Sequence, residues 1–148
     1  MRLPREKEAL WPYLVSEGYQ VTSGATWDYN CIAFAAGIET EWWWPDPNGD
    51  ATWPEGVRRE ERIECFAEAF ATLGYEVCER GELEPGFEKI AIYAAGGVPT
   101  HAAKQTPDGR WKSKLGGWED IEHNTLKAVE EHVYGKVVLF MRRKAGAI

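Results

Sequence analysis

The chain has 148 residues, 44% hydrophobic and 28% charged, a balance that excludes a disordered polypeptide and is enough for one domain spanning 1–148. Its 17 basic against 24 acidic residues leave a net charge of −7, which argues against broad contact with a phosphate backbone, so no nucleic-acid partner is expected. Three cysteines, Cys31, Cys65 and Cys78, contain no CxxC pair, so neither a disulfide scaffold nor a zinc knuckle is expected.

The opening residues MRLPREKEAL are charged and lack the apolar stretch of a secretory signal. No apolar run approaches the ~20 residues needed to cross a bilayer. A cytoplasmic protein with no membrane partner is expected, with export by a signal-independent route left open. Residues 4–17 begin at Pro4 and carry Leu10, Trp11, Leu14 and Val15 at helical spacing, which predicts a short amphipathic helix ending at Gly18. The following YQVTSGATWDYN reads as an irregular approach to Cys31. CIAFAA (31–36) suits a short buried helix, with Asn30 or Asp28 as its cap and Gly37 as its stop.

Residues 39–57, ETEWWWPDPNGDATWPEGV, hold three prolines against regular structure and four tryptophans against disorder. They predict a long ordered loop packed by its own aromatics. In 59–73, Ile63, Phe66, Ala67, Phe70 and Leu73 form a helical stripe that Gly74 terminates, with Cys65 off its centre. The period then changes to two. Strands are predicted at 75–79, 87–95 and 136–143, and a hairpin at 100–105 and 110–114 about the tight turn Pro107-Asp108-Gly109. Residues 120–132, DIEHNTLKAVEEH, are expected to be partly helical. Helices first and an antiparallel sheet after them give an α+β class.

The residues that suggest chemistry are Cys31 and His101. A thiol at a helix N-terminus gains thiolate character from the helix dipole, and a histidine on a later strand can supply the base. Cys65 and Cys78 read as structural. A zinc site from Cys31, His101 and His123 lacks any local ligand pair, so no metal is expected. SKLGG (113–117) lacks the order of a phosphate loop and reads as a turn in which Lys114 places the next segment near the site. Trp42, Trp43 and Trp44 carry two readings: rings lining a cleft for sugar or peptide, or a small core over one flank of the sheet.

The ordered blocks YNCIAFAAG, WWWP, GFEKIAIYA, PTHAAKQTPDGRWKSKLGGWEDIEH and YGKVVLFMRR resemble a bacterial domain family of unknown function, from about Asp28 to Arg143. That family in turn resembles papain-like cysteine hydrolases of the cell-wall amidase and peptidase type. The resemblance implies a papain-like fold, a nucleophile helix packed on an antiparallel sheet, with Cys31 as nucleophile and His101 as general base. His123 or Asp120 would orient the imidazole, and Asn30 would help bind an oxyanion. Trp42, Trp43, Trp44, Ser113 and Lys114 are candidate substrate contacts. The implied reaction is hydrolysis or acyl transfer at an amide or thioester bond without a cofactor, on a peptide, peptidoglycan-like or protein substrate. The alternative is an inactive domain of that kind, serving as an interaction, accessory or immunity module with a protein partner.

Overall fold

Seven strands and four short helices make up residues 1–146, the part of the chain that the computed structural model describes. In chain order they are α1 (Arg5–Glu8), α2 (Leu14–Glu17), β1 (Tyr19–Ser23), α3 (Cys31–Ala35), α4 (Ile63–Ala71), β2 (Glu76–Cys78), β3 (Phe87–Ala95), β4 (Val98–Gln105), β5 (Trp111–Lys114), β6 (Asp120–His123) and β7 (Lys136–Lys144), with a 3-10 turn at Leu126–Val129. The strands form one sheet in the order β1-β6-β5-β4-β3-β7-β2, antiparallel at every pairing.

This corrects the expected α+β class and papain-like fold. The sheet dominates, the helices hold only four, four, five and nine residues, and among the described residues they form no papain-like helix-on-sheet arrangement. Three local causes account for it. Pro12 falls inside the predicted first helix, where a missing N–H and a ring clash break it into α1 and α2. Residues 19–23, expected to be irregular, pair with β6 as an edge strand. In 120–132 the expected helix is confined to the 3-10 turn at Leu126–Val129, because Ile121 and His123 take strand positions opposite Ser113 and Trp111. Helix α4 starts four residues later than the charged run suggested, since Arg62 is extended at φ −126°.

Alternation along β3 and β4 divides the core in two. Ile90, Ile92 and Ala102 face α3, α4 and the aromatic loop, where Cys65, Phe66 and Phe70 are fully buried and Trp43 meets Trp53 edge-to-face at 6.3 Å. Ala91, Tyr93 and Ala103 face the other way, toward Trp11, Leu14, Ile121 and Tyr134. The aromatic loop is ordered as expected: Trp43 bridges Thr52, and Arg59 donates to the carbonyls of Asp46 and Ala51. Among the described residues, no helix is long and apolar enough to cross a membrane.

One irregularity positions everything that follows. Strands β4 and β5 pair only at Lys104–Lys112 and Gln105–Trp111, beside the tight turn. Beyond that pair they separate, and α3 packs against both. On the far face, the turn at Glu131–Gly135 brings Tyr134 under the sheet. Gly135 has φ 74°, and a Cβ there would overlap the Ala94 carbonyl, whereas Gly56, at φ 85°, has open space around it. Gly56→Ala is therefore expected to cost about 1 kcal/mol from backbone strain alone. Gly135→Ala should cost roughly 1–3 kcal/mol more through overpacking. Urea midpoints of the two variants check this, and equal midpoints would contradict it.

Candidate functional site

Cys31 is the first residue of α3, and Asn30 caps the helix from extended backbone at φ −109°, ψ −177°. The Asn30 Oδ1 accepts from the Ala33 N–H at 3.1 Å and the Trp43 N–H at 3.0 Å, while Nδ2 donates to the Trp43 carbonyl at 2.8 Å. One side chain thus closes the helix end and ties it to the aromatic loop, and a cap of this kind is worth about 1 kcal/mol. Cys31 is 7% exposed, and that sliver opens into a cavity of about 530 Å³ that Asn30, Trp42, Trp44, Thr100 and Tyr134 also line.

The sulfur lies against β4. Cys31 Sγ is 4.0 Å from the Thr100 carbonyl oxygen, and the Ala102 N–H is directed at it, so it sits over the peptide of His101. The expected thiolate is not the resting form. Burial pushes the thiol up to about 11, against the opposing N–H groups of Ala102, Ile32 and Cys31 and the charge of Lys114. A five-residue helix carries too little dipole to reverse that.

His101 lies in the gap between the separating strands and is fully buried. Its Nε2 is 2.9 Å from Ser113 Oγ, and the same oxygen is 2.8 Å from His123 Nε2. His123 Nδ1 meets the Thr125 carbonyl at 2.7 Å. The Tyr134 ring stacks on the His101 imidazole at 3.9 Å and 10°, and Tyr93 meets it edge-on at 5.3 Å. His101 Nδ1 is buried without a hydrogen-bond partner. Burial, then the neighbouring His123, holds His101 well below the ordinary histidine value. Burial lowers His123 to about 4, with the Thr125 carbonyl opposing. Both rings are neutral at pH 7.

The other sequence candidates fall elsewhere. Asp120 and Lys114 pair across β5 and β6 but point to the opposite face from Ser113 and Ile121. There Asp120 Oδ2 accepts from Ser23 Oγ at 2.7 Å and Tyr29 Oη at 2.6 Å. Lys114 is fully buried and donates to the carbonyls of Thr26 and Trp118. Ser113 lies between the two histidines, away from solvent. Of the three consecutive tryptophans, Trp43 packs in the core, while Trp42 and Trp44 line the cavity. Trp42 also stacks on Trp27 at 6.0 Å. Among the described residues, no group of three or more His, Cys, Asp or Glu side chains is placed to hold a metal.

Residues 20–142 match the model of a family described as a domain of unknown function, DUF7689. The chain belongs to that family. No curated protein and no solved structure matches it.

Sequence reasoning passed over three groups of this DUF7689 domain. Tyr134 was hidden in VYG, where only the following glycine hints at a buried turn. The Thr125 carbonyl has no residue-type signature at all. Trp27, in an apparently irregular stretch, is the stacking partner of Trp42. The two buried histidines also set an acid limit. A His123 value lowered in the fold favours the neutral ring, so its contribution is complete above about pH 6.5 and is lost as pH falls toward 4. That interval is worth roughly 3 kcal/mol. Chemical unfolding at pH 7, 5.5 and 4.5 should show this loss, and His123→Gln should flatten the profile; a His123→Gln profile parallel to the wild type would contradict it.

Proposed function

We propose that this chain is a cysteine hydrolase or acyl transferase acting at an amide or thioester bond, with Cys31 as nucleophile and His101 as general base. One observation carries the reading. A thiol that opens into a cavity rests against the strand segment of a buried histidine whose Nδ1 has no partner. An unpaired buried acceptor costs free energy that packing does not return. A base awaiting a proton accounts for it.

The chemistry runs from a neutral pair. As the Cys31 sulfur bonds to the substrate carbonyl carbon, its proton passes to His101 Nδ1. The oxyanion is met by the backbone N–H at the head of α3, with Asn30 beside it. Collapse breaks the bond to the leaving amine or thiol, which takes the proton from His101, and leaves an acyl group on sulfur. Water, or an acceptor nucleophile, then attacks the acyl carbon as it gives its proton to His101, and the carbon–sulfur bond breaks. Cys31 takes that proton back, restoring the neutral pair. His123 orients the imidazole through Ser113, while Asp120 is engaged by Ser23 and Tyr29. The cavity between Trp42 and Trp44 suits a peptide, peptidoglycan-like or protein substrate, and no step calls for a cofactor.

A second reading, a non-catalytic interaction module, draws on Trp27, which is 70% exposed and stacked flat on Trp42 at 11°. Exposed aromatic surface of this kind marks partner contacts. The two readings separate on where an acyl group lands. Incubation with an activated aryl ester, followed by peptide mapping, is expected to place one acyl group on Cys31, with Cys31→Ser abolishing it. Acylation confined to the more accessible Cys78, or none, would remove the hydrolase reading and leave the interaction module.

A further inference from the structure

We propose that Ser113 is a positioning residue that transmits one protonation pattern from the backbone to His101, locking the base in its productive tautomer. This rests on the assignment of His101 as base. The pattern begins at the Thr125 carbonyl, which has lone pairs and no proton to give. At 2.7 Å from it, His123 Nδ1 must donate. A neutral His123 then has a bare Nε2, which accepts from the Ser113 hydroxyl at 2.8 Å. Ser113 has a single proton, already committed to His123. Its 2.9 Å contact with His101 Nε2 therefore runs the other way, from the His101 N–H to Ser113 Oγ. A neutral His101 has no second proton, and Nδ1 is left bare. The reverse pattern would require a carbonyl to donate.

The surroundings favour a lock over a passing arrangement. His101, Ser113 and His123 are all fully buried, so water does not compete for the bonds. The stacked Tyr134 and the edge of Tyr93 hold the His101 ring against a flip. Register does the rest, placing Ser113 and His123 on the same face of neighbouring strands. Once Nδ1 has taken a proton, Nε2–H still has Ser113 Oγ as acceptor, so the imidazolium stays satisfied. Ser113 thus acts through His101 and touches no reacting atom.

Long-range proton–nitrogen correlation spectra of the full chain with 15N-labelled histidine, at neutral pH and without substrate, test this directly. The expected result is His101 protonated at Nε2 alone and His123 at Nδ1 alone. A His101 protonated at Nδ1, or exchanging between both forms, would overturn the proposal. In Ser113→Ala, His101 should lose its single tautomer while His123, still facing Thr125, keeps its own. Ser113→Thr, which retains a hydroxyl, should restore the wild-type pattern. A Ser113→Ala spectrum with His101 still purely Nε2-protonated would also overturn it. If the alanine variant does not fold, the wild-type spectrum decides alone. The spectrum needs no reaction at sulfur, so a wrong tautomer defeats the lock, whereas an inert Cys31 defeats the hydrolase assignment.

Discussion

The structure turns on the opening between β4 and β5. Two antiparallel strands joined by a tight turn ordinarily pair along their length, yet these pair at two positions and then part. The backbone groups so released face α3 on one side and three polar side chains within the gap. Cys31 takes the Thr100 carbonyl and the Ala102 N–H that a neighbouring strand would otherwise bond. The His101–Ser113 bond links the separated strands in place of the backbone ladder, and His123 on the neighbouring β6 extends the row. A polar network this deep is stable only when its members are satisfied, because an unpaired buried group loses its hydration without return. Every polar atom in the row has a partner except His101 Nδ1.

Burial outweighs the helix dipole at this site. The cysteine stands where a dipole and directed N–H groups favour thiolate, and still the thiol is raised to about 11 because water is largely excluded. The same exclusion lowers both histidines. The resting state is a neutral thiol over the His101 peptide and two neutral imidazoles, so in the proposed reaction proton transfer accompanies attack. A cavity walled by Trp42, Trp44 and Tyr134 is suited to that regime, since a bound acyl group would exclude the remaining water.

Much of the local structure was legible because its signals are local. Asn30 before a run of small residues announces a cap, Gly37 a stop, and Pro107-Asp108-Gly109 a hairpin. The strands at 87–95 and 136–144 follow from alternation. The misread segments depend on distant partners. Tyr19–Ser23 becomes a strand only because β6, about 100 residues later, offers an edge, and DIEH is a strand because Ile121 and His123 are needed beneath the sheet. Pro12 was visible and should have split the first helix. Together these segments turn an expected papain-like arrangement into a seven-stranded sheet with four short helices. At the site, residue types that suggest chemistry were easy to find, but their arrangement was not. Ser113, expected as a substrate contact, lies in the centre of the buried row. Tyr134 reaches His101 through a turn in which Glu131 and His132 have positive φ, 72° and 25°, an uncommon path for such residues. A backbone carbonyl such as that of Thr125 leaves no trace in sequence.

The family carries no assigned reaction, so the case for catalysis depends on whether the imidazole changes what the sulfur does. The most direct measurement is the rate of Cys31 acylation by an activated ester at neutral pH in the wild type and in His101→Gln. The account predicts a slowing of about 100-fold or more, the scale of a lost general base. Equal rates would mean that the thiol and the histidine are merely neighbours, and the catalytic account would fail.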